Sequence, residues 1–139
     1  MLPFMKVFIS HAAQDIALAK KVATVLTKAG LEVWDDQKIL PGENWAERVA
    51  EALRESEAMV VLLTPDALQS NWVRHDIEYA LSEKRYRKRL IPVLVSSVSE
   101  ECAQEQIPWI LHRLNMLKLA DDNKEENLEQ IAQVLLNAA

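Results

Sequence analysis

The chain has 139 residues, half of them hydrophobic, and a formal net charge of -5 at pH 7. That length supports one domain around a single core, so residues 1–139 read as one unit, and the acidic balance excludes a nucleic-acid footprint. Cys102 is the one cysteine, which excludes a disulfide framework; the start "MLPFMKVFIS" has no basic leader or cleavage site, and no run nears the ~20 apolar residues of a membrane span, so the expected location is the cytoplasm, away from the membrane.

"MKVFIS", Met5 to Ser10, is a short β-branched and aromatic run that reads as a strand. "DIALAKKVATVLTKAG" follows with apolar residues at helical spacing, and Gly30 stands where a left-handed residue ends a helix. "LEVWDD" reads as a second strand, "QKILPGEN" as a loop with a Pro-Gly turn, and "WAERVAEALRES" as an amphipathic helix with Val49, Ala52 and Leu53 on one face. The uninterrupted apolar run "AMVVLLT" predicts a strand covered on both sides, at the centre of a sheet. A helix from about Trp72 comes next, and the basic run Lys84 to Arg89 reads as its solvated end. "LIPVLV" is a fourth strand, "SSVSEECAQEQIPW" is irregular, "NMLKL" is a weak fifth strand, and a closing helix runs from about Lys124 to Leu136.

Strands alternating with helices predict an open α/β sheet of parallel strands with helices on both faces. Ligands of such sheets bind outside the carboxyl ends of the strands, where strand order reverses, which directs attention to Ser10 to Gln14, Asp35 to Gly42 and Thr64 to Asp76. With two glycines, Gly30 and Gly42, and no GxGxxG or GxxxxGK[ST], a glycine-rich phosphate cradle cannot be built. A phosphoacceptor receiver needs an aspartate at the end of the third strand, and here that strand ends "LLTP". His11, His75 and His112 share no metal-ligand spacing with Cys102, so no metal is expected, and Cys102 reads as a packed or idle thiol.

Taken in order and spacing, "KVFISHAAQD", "GLEVWDD" with "LPGENW", "AMVVLLTPDALQSNWVRHDIEYAL" and "LIPVLV" resemble the Toll/interleukin-1 receptor (TIR) domains, the prokaryotic kind in particular. The resemblance implies a flavodoxin-like sheet of five parallel strands and one of two roles. Many such domains cleave NAD at the nicotinamide glycosidic bond, giving ADP-ribose or a cyclised form, while others are scaffolds that bind further TIR domains. In the enzymes a glutamate four residues after a tryptophan, at the start of the third helix, is catalytic. Trp72 matches that tryptophan here, and the matching acid is Asp76, an aspartate.

Helix phase separates the two acids of this segment independently. At about 100° per residue Asp76 falls about 40° from Trp72, at the edge of a core stripe of Val73, Ile77, Ala80 and Leu81. Glu78 falls about 120° away, on the exposed side. One carboxylate can suffice for NAD cleavage, because nicotinamide leaves a cationic pyridinium as a neutral base and needs no protonation. What remains is to hold the ribose and stabilise the developing oxocarbenium charge.

By the same resemblance, Ser10 and His11 occupy the position that contacts nucleotide, although Ala12 and Ala13 stand where some members carry arginines, and Ser10 equally suits a cap or turn. Asp36 matches an acid at the mouth of the second loop, or bonds its own backbone. Trp34 reads as core or as a ligand contact, Trp45 as a stacking aromatic or a helix-start residue covering core, and Trp72 as a crevice wall that orients Asp76. Ser70 and Asn71 are the N-cap candidates, with Asn71 the better placed of the two. The expected function is therefore an NAD glycohydrolase or ADP-ribosyl cyclase in bacterial immune or cell-suicide signalling, with NAD as substrate and no resident cofactor. The loop Asp36 to Asn44 would carry self-association with other TIR domains. The alternatives are a non-catalytic TIR scaffold or nucleotide-binding module, and a nucleoside deoxyribosyltransferase, which explains the crevice carboxylate but none of the other motifs.

Overall fold

The computed structural model describes residues 5–34, 45–86, 89–95, 98–107, 109–112, 114, 116–119 and 125–138. Five parallel strands form one sheet in the order β2-β1-β3-β4-β5: β1 (Lys6–Ser10), β2 (Glu32–Val33), β3 (Ala58–Leu63), β4 (Leu90–Val95) and β5 (Leu117–Leu119). The chain leaves β1 for the edge strand β2 and then crosses back to β3, so strand order reverses between β1 and β3. This is the flavodoxin-like arrangement, with its crevice outside the carboxyl ends of those two strands.

The period-two alternation of the strands feeds two cores. Met59, Val61 and Leu63 of β3, with Phe8 of β1, face helices α2 (Trp45–Glu55) and α3 (Asn71–Ser82), where Val49, Ala52, Leu53, Val73, Ile77 and Ala80 are buried. Ala58, Val60 and Leu62 turn the other way, toward α1 (Ile16–Lys28) and α6 (Glu125–Ala138). Every residue of β3 is buried, as its unbroken apolar run predicts for a central strand. Pro92 is tolerated inside β4 for a register reason. Met59 N–H donates to Arg89 O, so alternation turns the Pro92 nitrogen toward β5, which pairs only from Val93 onward.

Helix ends follow local chemistry. Gly30, at φ 93°, lets α1 close in a Schellman turn: Leu31 N–H donates to Leu26 O and Gly30 N–H to Thr27 O, each at 3.0 Å, while Leu26 and Leu31 join one core. At α3 the N-cap is Ser70, whose Oγ accepts from Val73 N–H, and not Asn71, which is the first helical residue. Ser70 has the extended backbone that an N-cap requires, so the cap lies one position earlier than expected. Leu81, expected in the core stripe, is 43% exposed. It lies in the last turn of α3, and the core contact at that end comes from Tyr86, which a 3-10 turn at Lys84–Tyr86 brings back beneath α3, edge-on to Tyr79. Tyr86 is thus a buried anchor within what reads in sequence as a solvated basic run.

The stretch expected to be irregular instead holds a short helix, α4 (Glu100–Gln106), and a second, α5 (Trp109–His112), begins at its last residue. Neither is long enough to show helical periodicity; Val98, Ile107 and Leu111 carry the segment into the core, with Cys102 packed against it. Among the described residues of "LEVWDD", β2 pairs with β1 at Glu32 and Val33, and Trp34 N–H donates to Val7 O at 3.0 Å. No helix among the described residues is long and apolar enough to cross a membrane.

Candidate functional site

The site is assembled by the ends of β1 and β3 and the start of α3. Along β1, Phe8 faces the α2/α3 core, so two residues later Ser10 points to the same side and meets α3 from beneath. Its hydroxyl donates to Asp76 Oδ2 at 2.8 Å, joining residues far apart in sequence. Ser10 is 1% exposed and Asp76 7% exposed, so the carboxylate goes further inward than the core-edge position that helix phase implies. Among the described residues no other hydrogen bond reaches the Asp76 carboxylate, and Asp76 lines the cleft. Glu78 is exposed, as expected.

Burial pushes the Asp76 carboxyl up from its ordinary 3.8 to about 6, while the Ser10 hydrogen bond and the positive potential of His11 and His75 act in the other direction. The group is therefore an anion at neutral pH, but a poorly hydrated one. Such an anion interacts strongly with a cation brought against it, because little water must be displaced.

A cleft of about 1040 Å³ runs from Asp76 past Trp72 and Ser70 to His11, Trp34 and the outer side of α1. A smaller hollow of about 450 Å³ lies between α2 and α3, and Trp72 and Asp76 line both. Trp72, 50% exposed, thus forms a partition beside the acid, whereas the hydrogen bond that orients Asp76 comes from Ser10. The Ser10 hydroxyl, expected to contact nucleotide, is directed at the carboxylate. His11 remains in the cleft wall, with Nδ1 placed to donate to Ala12 O at 2.7 Å. Trp34 stacks on Phe8, with centroids 5.5 Å apart, and its residue also lines the cleft. Asp36 and the rest of the Asp36 to Asn44 loop lie outside the described residues, as does the side chain of Trp45, whose backbone opens α2.

A pair not singled out by the motifs braces the rim. Thr64, just past β3, donates to Asp15 Oδ2 ahead of α1 and accepts from Ala67 N–H, fixing the 3-10 turn Ala67–Gln69. Asp66 and Gln69, on and beside that turn, line the cleft. The sequence signal was positional only: Thr64 follows the central strand, and Asp15 looks like a helix cap although its side chain makes no cap bond.

Together these features define an open, flavodoxin-like α/β domain with a buried acid at the switch point. A family model described as a TIR domain matches residues 7–135, and the chain belongs to that family. It is similar to the NAD(+) hydrolase TirS of Staphylococcus aureus, 27% identical over 95% of this chain and 48% of TirS. It is also similar to the 2' cyclic ADP-D-ribose synthase AbTIR of Acinetobacter baumannii, 23% identical over 97% of this chain and 51% of AbTIR. The chain spans about half the length of these relatives. Among solved structures, a metazoan TIR-STING receptor from C. gigas superposes with a TM-score of 0.75 at 26% identity, covering 93% of this chain and 38% of the receptor. The TIR domain of a Toll-related receptor from Hydra magnipapillata shares the fold, with a TM-score of 0.70 at 20% identity over 95% of this chain and 96% of that domain.

Proposed function

We propose that the protein cleaves the nicotinamide–ribose bond of NAD, as a hydrolase or an ADP-ribosyl cyclase, with Asp76 as the carboxylate that engages the ribose. The observation that carries this reading is the poorly hydrated Asp76 anion in the lining of the switch-point cleft, tied by Ser10 through Oδ2. Two relatives named for chemistry on this bond or its product, TirS and AbTIR, add support from outside the structure.

In this mechanism the bond between the anomeric carbon and the pyridinium nitrogen breaks, and its electron pair leaves with nicotinamide as a neutral ring. Asp76 accepts a hydrogen bond from a ribose hydroxyl and sets negative charge against the oxocarbenium-like carbon as it forms. Water then adds, releasing a proton and giving ADP-ribose, or a hydroxyl of the same nucleotide adds, giving a cyclic product. His11, Trp34 and Trp72 supply the cleft walls against which the nucleotide rests; Asp36 and Trp45 are assigned as further nucleotide contacts on the family resemblance alone. The protein holds no resident cofactor in this reading, and NAD is the substrate. The setting is bacterial immune or cell-suicide signalling in the cytoplasm, switched by self-association through the Asp36 to Asn44 loop.

A second reading rests on how deeply Asp76 is drawn in. An aspartate is one methylene shorter than the glutamate of the related enzymes, and misplacement by about 1 Å can lower a rate about 100-fold. On that basis the domain would bind nucleotide or other TIR domains without turnover. Incubation with NAD, in dilute solution and under crowding, separates the two. Nicotinamide release that is lost in Asp76→Ala supports the enzyme; NAD binding without release from wild type or Asp76→Glu supports the module.

A further inference from the structure

We propose that Ser10 is the positioning residue of Asp76, holding Oδ2 from the sheet side so that Oδ1 is presented to the cleft. The inference rests on the reading of Asp76 as the working carboxylate, but its structural half can be tested without any reaction. Three observations carry it. The hydroxyl and the carboxylate are both buried and meet at 2.8 Å. Ser10 is the last residue of β1, paired with Val61 of the central strand, so its hydroxyl is carried on the interior of the sheet ladder. No other hydrogen bond reaches the Asp76 carboxylate among the described residues, so Ser10 is the contact there that fixes its rotation.

The consequence is geometric. An aspartate in the second turn of α3 can turn about its last bond between the cleft and the hollow between α2 and α3, since it lines both. A donor beneath Oδ2 selects one orientation and, because a donor favours the charged form, also keeps the acid ionised toward lower pH. The other groups that act on Asp76 are His11, from the segment after β1, and His75 on α3 itself. Asp66 shares the larger cleft with it, and Glu78 shares the smaller hollow. None of these substitutes for the hydroxyl, since none hydrogen-bonds the carboxylate.

The experiment compares wild type, Ser10→Ala and Ser10→Thr, each confirmed as folded by its thermal transition. The Asp76 carboxyl carbon is titrated by NMR, and nicotinamide release from NAD is followed across pH. In Ser10→Ala the Asp76 titration should move up by about one pH unit, a tenfold change in proton affinity. Its kcat should fall about tenfold with KM changed less than threefold, and the acid limb of the rate profile should move up with the titration. Ser10→Thr, which keeps the hydroxyl, should restore both. A folded Ser10→Ala whose Asp76 titrates as in wild type overturns the inference. So does a shifted titration with an unchanged kcat. If wild type releases no nicotinamide while the titration still moves, the Ser10 to Asp76 coupling is upheld and the NAD reading falls alone.

Discussion

Thr64 donates to the carboxylate of Asp15 while accepting from Ala67 N–H, so a single hydroxyl joins the segment after β1 to the turn after β3. These are the two connections that frame the cleft, and β1 and β3 are also the strands between which the sheet reverses its order. Removing the hydroxyl without changing the side-chain shape, in Thr64→Val, leaves the Ala67 N–H and the Asp15 carboxylate short of a partner. The expected cost is about 1 to 3 kcal/mol, read as a lower urea midpoint at unchanged slope. An unchanged midpoint would show that water replaces the bond and that the rim is not braced there.

The cap of α3 gives a sharper comparison. Ser70→Ala removes the acceptor for Val73 N–H and should lower stability by about 1 kcal/mol, whereas Asn71→Ala, at the first helical position, should change it by less than half as much. Equal losses in thermal melts of the two variants would contradict the placement of the cap.

Burial of Asp76 carries a pH signature in stability. Its folded pKa of about 6 lies above the ordinary 3.8, so between these values the folded chain holds a proton that the unfolded chain has lost. Stability from this group is therefore fully present below pH 3.8 and is lost as pH rises through about 6, the burial of the anion costing on the order of 3 kcal/mol above that. Asp76→Asn removes the charge and can still accept from Ser10. It should be more stable than wild type near pH 8 by about 1 to 3 kcal/mol, with the gain shrinking as pH falls below 6. Denaturant titrations at the two pH values check this, and a gain of equal size at both would refute the linkage.

Tyr86 anchors the turn after α3 by burying its ring and donating its hydroxyl to Leu53 O. Tyr86→Phe removes that buried hydrogen bond and should cost about 1 kcal/mol in chemical denaturation, despite lying in a sequence that reads as a charged surface run. No measurable loss would mean the carbonyl finds water instead.

These cases show what was legible in sequence and what was not. The sheet was legible because β3 and β4 are unbroken apolar runs and α1 and α2 keep a clean helical period with a glycine or turn behind them. α4 and α5 were not, since helices of one or two turns carry too few apolar residues to mark a period. Within the site, helix phase set Asp76 apart from Glu78, because phase is a property of one helix. The partner of Asp76 was beyond that reach: Ser10 approaches from a strand far away in sequence, and a serine at a strand end looks the same whether it caps a turn, meets a nucleotide or holds a carboxylate. Leu81 failed for the converse reason, since Tyr86 from the following turn took the core contact that phase alone awarded to it.

The central claim is that the Asp76 anion supports cleavage of NAD, and the rate of nicotinamide release by wild type and Asp76→Ala from pH 5 to 8 tests it most directly. The account predicts release by wild type that declines as pH falls through about 6, where the carboxylate gains its proton, and a loss of about 100-fold or more in Asp76→Ala at every pH. Release by Asp76→Ala at the wild-type rate, or a wild-type rate that is flat across this range, would contradict it.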